Sequence, residues 1–280
     1  MSTVAVVTAL DLEYQAIRKC LDELRLRSHP AGTIFEVGRL RGTDQQIALT
    51  VTGEGNVSAA VLAERAIAAF RPQALLCVGV AGGLKDDVEL GDVVVATKVY
   101  ALHGGRDHGD GFLARPKAWP AAHQLEQLAR YAARSGDWTE LLTAGLLLRP
   151  PTVHFKPVVS GEVILSSPGT SLSARLRSIY EDAVAVDMES AGVAQAAHLN
   201  RSLPVLSVRG ISDRTDPAKS LADAAGWQHL AAGNAAAFTA SICALMPADQ
   251  VLSGQSGRGR PGRARCSLAS GDRLRSARPG

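Results

Sequence analysis

No apolar run in this 280-residue chain approaches the ~20 residues that a helix needs to cross a bilayer. Its start, MSTVAVVTALDLEYQ, lacks the basic stretch and long apolar core of a secretory leader, so no signal peptide is expected. The four cysteines, Cys20, Cys77, Cys243 and Cys266, are scattered with no CxxC or other metal-ligand spacing. The economical expectation is a soluble cytoplasmic protein with reduced thiols.

Excess positive charge is also missing from most of the chain, although the net charge is +3. Residues Asp249 to Gly280 hold seven Arg and two Asp of the 30 basic and 27 acidic residues, leaving 23 basic against 25 acidic, a net −2, before them. The body therefore carries no electrostatic footprint for nucleic acid, and contact with nucleic acid is expected only through the tail. That tail is rich in Gly, Ser and Arg, with Val251, Leu252, Leu268 and Leu274 as its only large apolar residues. It cannot bury enough surface to offset its ordering entropy, so 249–280 is expected to be a disordered basic tail.

What remains, at 46% hydrophobic overall, can bury a sizeable core. VAVVTA (4–9), QIALTVT (46–52), ALLCVGV (74–80), DVVVATKV (92–99), AVAVDM (183–188) and PVLSVRGI (204–211) read as buried strands, continuously apolar and rich in Val. Between them, 12–24, 58–70, 171–180 and 189–199 show apolar spacing near the helical period, and a last helix is expected at 221–246. Strands alternating with helices predict an α/β fold over 1–248, a single domain with a twisted, mostly parallel mixed sheet flanked by helices. HGGRDHGDGFLARP (103–116) has no period and reads as a long polar loop. Its His103 and His108 lack further ligand spacing, and no metal is expected.

In open α/β sheets ligands bind beyond the carboxyl ends of the strands. Those ends read Leu10-Asp11-Leu12-Glu13, Gly53-Glu54-Gly55-Asn56, Ala81-Gly82-Gly83-Leu84, Asp187-Met188-Glu189 and Ser212-Asp213. Singly, each has an ordinary use: an acid in a helix's first turn, an N-cap, a tight turn, a core methionine. Together they bring several carboxylates and permissive backbone to one place. Such a set suits cleavage of a glycosidic bond, which needs one protonated acid at the leaving group and one carboxylate to activate the nucleophile.

These residues resemble a known family. Val78-Gly79-Val80-Ala81-Gly82-Gly83-Leu84 followed by Val88-Glu89-Leu90-Gly91-Asp92, then Ser160-Gly161-Glu162, Asp187-Met188-Glu189-Ser190-Ala191-Gly192 and Val208-Arg209-Gly210-Ile211-Ser212-Asp213, are similar to the nucleoside phosphorylase superfamily. The order and intervals are most like those of the 5′-methylthioadenosine/S-adenosylhomocysteine nucleosidases, over residues 3–246. The resemblance implies that Asp213 protonates the purine N7 as general acid and that Glu13 activates water against C1′. It also implies that Glu189 accepts hydrogen bonds from the ribose hydroxyls, Met188 packs on the sugar, Ser212 positions Asp213 or the base, and Ala81 and Gly82 offer backbone. Ile164, with Leu165 next to it, stands where the family places an aromatic over adenine. Val80 replaces a serine beside the nucleophile, and Arg214-Thr215 replaces small residues after the acid. The resemblance further implies a homodimer, with 103–116 closing a neighbour's pocket, and no cofactor. Asp187 is read as a first-turn acid only.

Phosphorolysis requires Arg or Lys at the anomeric face. The 8–13 and 53–56 turns contain neither, and Glu13 would repel phosphate, so hydrolysis of a purine N-ribosidic bond with release of adenine is the expected reaction. Arg106 is the one candidate anion contact. The alternatives are a phosphate-dependent phosphorylase, which would need Arg106, and a non-catalytic nucleoside sensor, which would have little use for three carboxylates on one ligand.

Overall fold

A computed structural model of the chain describes residues 2–102, 104–109, 111–142, 149–165, 169–215 and 226–247. The expected tail and the residues of the expected last helix before 226 lie outside them. In chain order the first strands are β1 (Thr3–Thr8), β2 (Leu21–Ser28), β3 (Ile34–Leu40), β4 (Gln46–Val51), β5 (Ala74–Gly83) and β6 (Val93–Ala101). They are followed by β7 (Gly105–His108), β8 (Gly111–Ala114), β9 (Lys117–Pro120), β10 (Val153–Ser160), β11 (Ala185–Asp187) and β12 (Val205–Asp213). The helices are α1 (Asp11–Arg18), α2 (Asn56–Phe70), α3 (His123–Ser135), α4 (Ser171–Ile179), α5 (Ser190–Leu199) and α6 (Trp227–Leu245), with a short 3-10 turn at Asp137–Leu141.

The Val- and Ala-rich runs occupy the middle of a mixed ten-stranded sheet, where both faces are covered and alternation is not needed. β4, β1, β5 and β12 lie side by side and parallel, with Val4 opposite Ile47 on one side and Ala74 on the other. β12 then pairs antiparallel with β6, β6 parallel with β10, and β10 parallel with β11. The three-residue β11 returns to pair antiparallel with β5, Ala185 against Gly83 and Val186 against Gly82. Five strands thus close on themselves, and the ends of β5, β11 and β12 meet.

Helices α1, α3 and α6 cover one face, where Ile17, Leu125, Phe238 and Ile242 pack on Val6, Leu76, Val78 and Val208. α2 and α5 cover the other through Ala59, Ala63, Val193 and Ala197 against Ala5, Val7 and Leu75. Among the described residues no helix is long and apolar enough to cross a membrane, and Cys20, Cys77 and Cys243 are free thiols.

Two expectations are corrected. The predicted helix over 12–24 ends at Arg18, and Leu21–Ser28 forms edge strand β2 against β3. Its leucines mimic a helical spacing because the ladder slips between Asp22 and Arg25, with Glu23 at φ 56°, so the strand does not alternate regularly. The predicted loop 103–116 contains a hairpin, β7 against β8, with Arg106 opposite Leu113. Its polar and glycine residues hide a pairing that only cross-strand geometry reveals.

Candidate active site

The strand ends singled out in the sequence open on one cavity of about 260 Å³. Glu13, Ala81, Gly82, Ile164, Leu165, Met188, Glu189, Ser212 and Asp213 all line it, together with Glu54, Val80, Asp187 and Thr215. Arg106, on β7, is exposed and outside the cavity wall. Ile164 is 56% exposed at the mouth whereas Leu165 is buried, so the two apolar residues divide into rim and interior.

Glu13 enters from the first turn of α1 and is 3% exposed. Its Oε2 accepts from the backbone N–H of Ala9 (2.8 Å) and Leu10 (2.9 Å), and its Oε1 from that of Val80 (2.7 Å). Three donors from two strand ends fix both oxygens. A Cβ at residue 79 would overlap the Glu13 carboxylate and the Arg209 guanidinium, so only glycine lets these two groups approach β5. Burial, the largest influence, pushes the Glu13 carboxyl above its ordinary range against the pull of Arg209 and the three N–H groups.

Asp213 is set by a β-bulge. Ile211 pairs with Ala81 and Asp213 with Gly82, so Ser212 is an extra residue in the ladder. A bulge resets the alternation of side chains, which leaves Ile211 in the core and turns Asp213 into the cavity. Ser212 Oγ donates to Asp213 Oδ2 (3.1 Å), and Thr215 N–H donates to Oδ1 (2.9 Å).

Glu189 and Asp187 flank Met188 where β11 hands over to α5. Glu189 Oε1 accepts from Gly55 N–H (3.1 Å), so the Gly53–Asn56 turn serves the opposite wall. Asp187 does more than complement a helix dipole. Its Oδ1 accepts from the backbone N–H of Glu189 (3.2 Å) and Ser190 (3.1 Å), its Oδ2 accepts from the Ser190 hydroxyl, and the same oxygen forms an ion pair with Arg209 Nε at 2.9 Å.

Arg209 is the residue that sequence reasoning undervalued. It lies 1% exposed behind the cavity, with Nε also on Ser207 Oγ (3.2 Å), Nη2 on Ser190 Oγ (3.0 Å) and Cys77 Sγ (2.9 Å), and Nη1 3.5 Å from Glu189 Oε2. One buried cation thus stands among three carboxylates. The signal was an arginine inside an otherwise apolar strand, since a buried charge persists only when partnered. Burial pushes the Glu189 carboxyl up to about 7, helped by Asp187 and Glu13 and opposed by Arg209 and Gly55 N–H.

Several buried carboxylates around one hollow, Glu13 and Glu189 among them held above their ordinary range by burial, with backbone exposed between them, are suited to acid–base chemistry on a small polar ligand. The sequence matches the Phosphorylase superfamily over residues 3–244. This chain belongs to that superfamily. A 5′-methylthioadenosine/S-adenosylhomocysteine nucleosidase of Maridesulfovibrio salexigens is 28% identical over 211 residues, covering 75% of this chain and 85% of that one. ATP nucleosidase Cap17 of Escherichia coli is also 28% identical, over 244 residues, 78% of this chain but 47% of its own length. Among solved structures, the 5′-methylthioadenosine/S-adenosylhomocysteine nucleosidase of Neisseria meningitidis in complex with methylthio-immucillin-A aligns with TM-score 0.72 and 25% identity, covering 86% of this chain and 98% of that one. All cavity residues named above fall within the stretch matched to the phosphorylase superfamily.

Proposed function

We propose that this chain is a nucleosidase. It hydrolyses the N-ribosidic bond of a purine nucleoside of the methylthioadenosine or adenosylhomocysteine type and releases adenine. The observation that carries this reading is the meeting of Glu13, Glu189 and Asp213 at one cavity, each from a different strand end.

In this reading Asp213 protonates the leaving purine, held by Ser212 and by the Thr215 N–H. Glu13 activates water at the anomeric carbon. Its raised proton affinity makes it a stronger base than an exposed carboxylate, and its three backbone donors keep it aimed. Glu189 takes the ribose hydroxyls and, with Arg209 behind it, favours the cation-like transition state. Met188 packs on the sugar, Ala81 and Gly82 present backbone, and Leu165 with Ile164 gives the base apolar contact without the stacking an aromatic adds, about 0.5–1.5 kcal/mol.

Water rather than phosphate is the nucleophile. Among the described lining residues five are acids and none is Lys, Arg or His, a field that disfavours phosphate at the sugar and nucleotides as substrates. Exposed Val57 and Val61 on α2, with exposed Val163, Ile164 and Leu113, support a homodimer in which such side chains are covered. The cytoplasm supplies substrates of this class and keeps thiols such as Cys20 reduced.

Adenine release from methylthioadenosine, adenosylhomocysteine and adenosine, with and without phosphate, tests the reading. Phosphate-independent release with the free sugar as co-product is expected. Strict phosphate dependence would overturn hydrolysis, and no release from any of the three would overturn the enzyme.

A further inference from the structure

A second cavity, of about 220 Å³, shares Thr215 with the first, and Gly83 lines it where Gly82 lines the other. Its wall carries Lys85, Arg177 and Arg214 against one acid, Asp86. Arg177 and Arg214 are exposed and Lys85 half-buried. Among the described residues none of the three is paired with a carboxylate, unlike Arg18, Arg130, Arg149 and Arg209 elsewhere on the chain. Three cations and one acid leave this hollow with an excess of positive charge, a lining that attracts an anion.

Thr215 is the partition between the hollows. Its N–H donates to Asp213 Oδ1 (2.9 Å), its hydroxyl donates to the Gly83 carbonyl (3.2 Å), and its methyl group fills the space that a Cβ on Gly82 would need. Arg214 is the residue directly between Asp213 and Thr215. Whatever holds Arg214 therefore holds both the proposed acid and the residue that positions it.

The geometry points to an anion site, for a phosphate or diphosphate group, formed by Lys85, Arg177 and Arg214 and coupled to Asp213 through Thr215. Guanidinium groups meet phosphate oxygens in pairs, and the hollow is several times the roughly 30 Å³ share of one water, enough for a group larger than a halide. The ligand is an effector and not a second substrate, because Thr215 and the Gly82–Gly83 backbone separate it from the carboxylates. Binding stands on the cation cluster alone; the effect on adenine release rests on the nucleosidase reading.

The test uses the full chain and pyrophosphate as probe, followed by calorimetry. One pyrophosphate is expected per chain, bound more weakly as salt rises. Arg177→Glu and Arg214→Ala should each weaken it by roughly tenfold, while Arg177→Glu leaves adenine release without anion unchanged. Linkage requires that pyrophosphate and adenine change each other's Kd by one common factor, expected to be roughly fivefold or more. Cytidine 5′-diphosphate, which has no purine for the acidic cavity, separates the sources. Binding equal to pyrophosphate identifies a free diphosphate, and clearly tighter binding that both substitutions weaken identifies a nucleotide.

No binding, or binding that both variants keep in full, overturns the site. Simple competition with the nucleoside overturns it too, because the anion would then occupy the acidic cavity. Pyrophosphate binding that leaves adenine affinity untouched overturns the coupling through Thr215. A chain that releases no adenine yet loses pyrophosphate on substitution refutes the nucleosidase reading and keeps the anion site.

Discussion

The two cavities on either side of Thr215 are opposite in charge and opposite in construction. In the first, Glu13, Asp187, Glu189 and Asp213 are buried, and each accepts hydrogen bonds from backbone N–H groups or neighbouring side chains. In the second, Arg177 and Arg214 reach from α4 and the end of β12 into solvent. Buried charge is costly unless hydrogen-bonded and paired, so the acidic cavity needs Arg209 and a scaffold of strand ends to exist at all. Exposed cations cost little and are screened by salt. The first region is built to hold one geometry, and the second to answer what arrives.

The largest effects should come from the acids. Asp213→Asn is expected to slow adenine release by about 10²–10⁴, the usual scale for a general acid or base. Glu13→Gln should abolish turnover while methylthioadenosine still binds by calorimetry. Near-native rates in both would remove the proposed chemistry, and lost pyrophosphate affinity in Asp213→Asn would mean that the two regions cannot be separated.

Next comes the cation that holds the acids in place. Arg209→Met leaves Asp187 and Glu189 without their buried partner and should cost about 3–5 kcal/mol of stability in urea unfolding. The same experiment on Arg177→Glu should show less than about 0.5 kcal/mol, as at an ordinary surface position. Equal losses would erase the distinction between built and adaptable regions.

The pH dependence carries a sign of its own. Glu189 holds its proton up to about pH 7 in the folded chain but releases it from about 4.5 when unfolded. Across that window the unfolded chain binds fewer protons, so this group makes stability fall as pH rises from about 4.5 to about 7. Glu189→Gln should flatten that slope. Adenine release should instead rise through about pH 7 as Glu189 ionises, the form in which it is proposed to accept from the ribose hydroxyls; a wild-type slope retained by Glu189→Gln would assign it to another group.

The smallest effect concerns Val80, whose N–H holds Glu13 but whose side chain offers water nothing. Val80→Ser adds one hydrogen bond beside the proposed nucleophile. At about 0.5–1.5 kcal/mol, it should raise kcat between twofold and tenfold. An unchanged kcat would place the water away from residue 80.

Much of this molecule was legible as a string. Continuous burial marked β1, β4, β5, β6 and β12, because a strand covered on both faces has no polar alternation to hide it. The helical period marked α2, α4 and α5, because apolar residues recur at the spacing that brings them to one helix face. The acids at strand ends announced a site, since nothing in a bare parallel fold requires Glu13, Glu189 and Asp213 together. The edge was not legible. β2 is mostly exposed, β3 is only partly buried, and a bulge in β2 imitates a helix. The hairpin of β7 and β8 draws its order from pairing between Arg106 and Leu113 and their neighbours, not from composition.

By itself the sequence determined which residue types reach the carboxyl ends of the strands, because chain order and periodicity are local properties. The tertiary structure alone decided how they face one another. It placed a bulge at Ser212 that turns Asp213 inward, brought β11 back onto β5, and set Arg209 behind three carboxylates. It also gathered Lys85, Arg177 and Arg214, which are scattered along the chain, around one hollow. Charges interact through space and not along the chain, so their pairing is settled only when the strands and helices have packed.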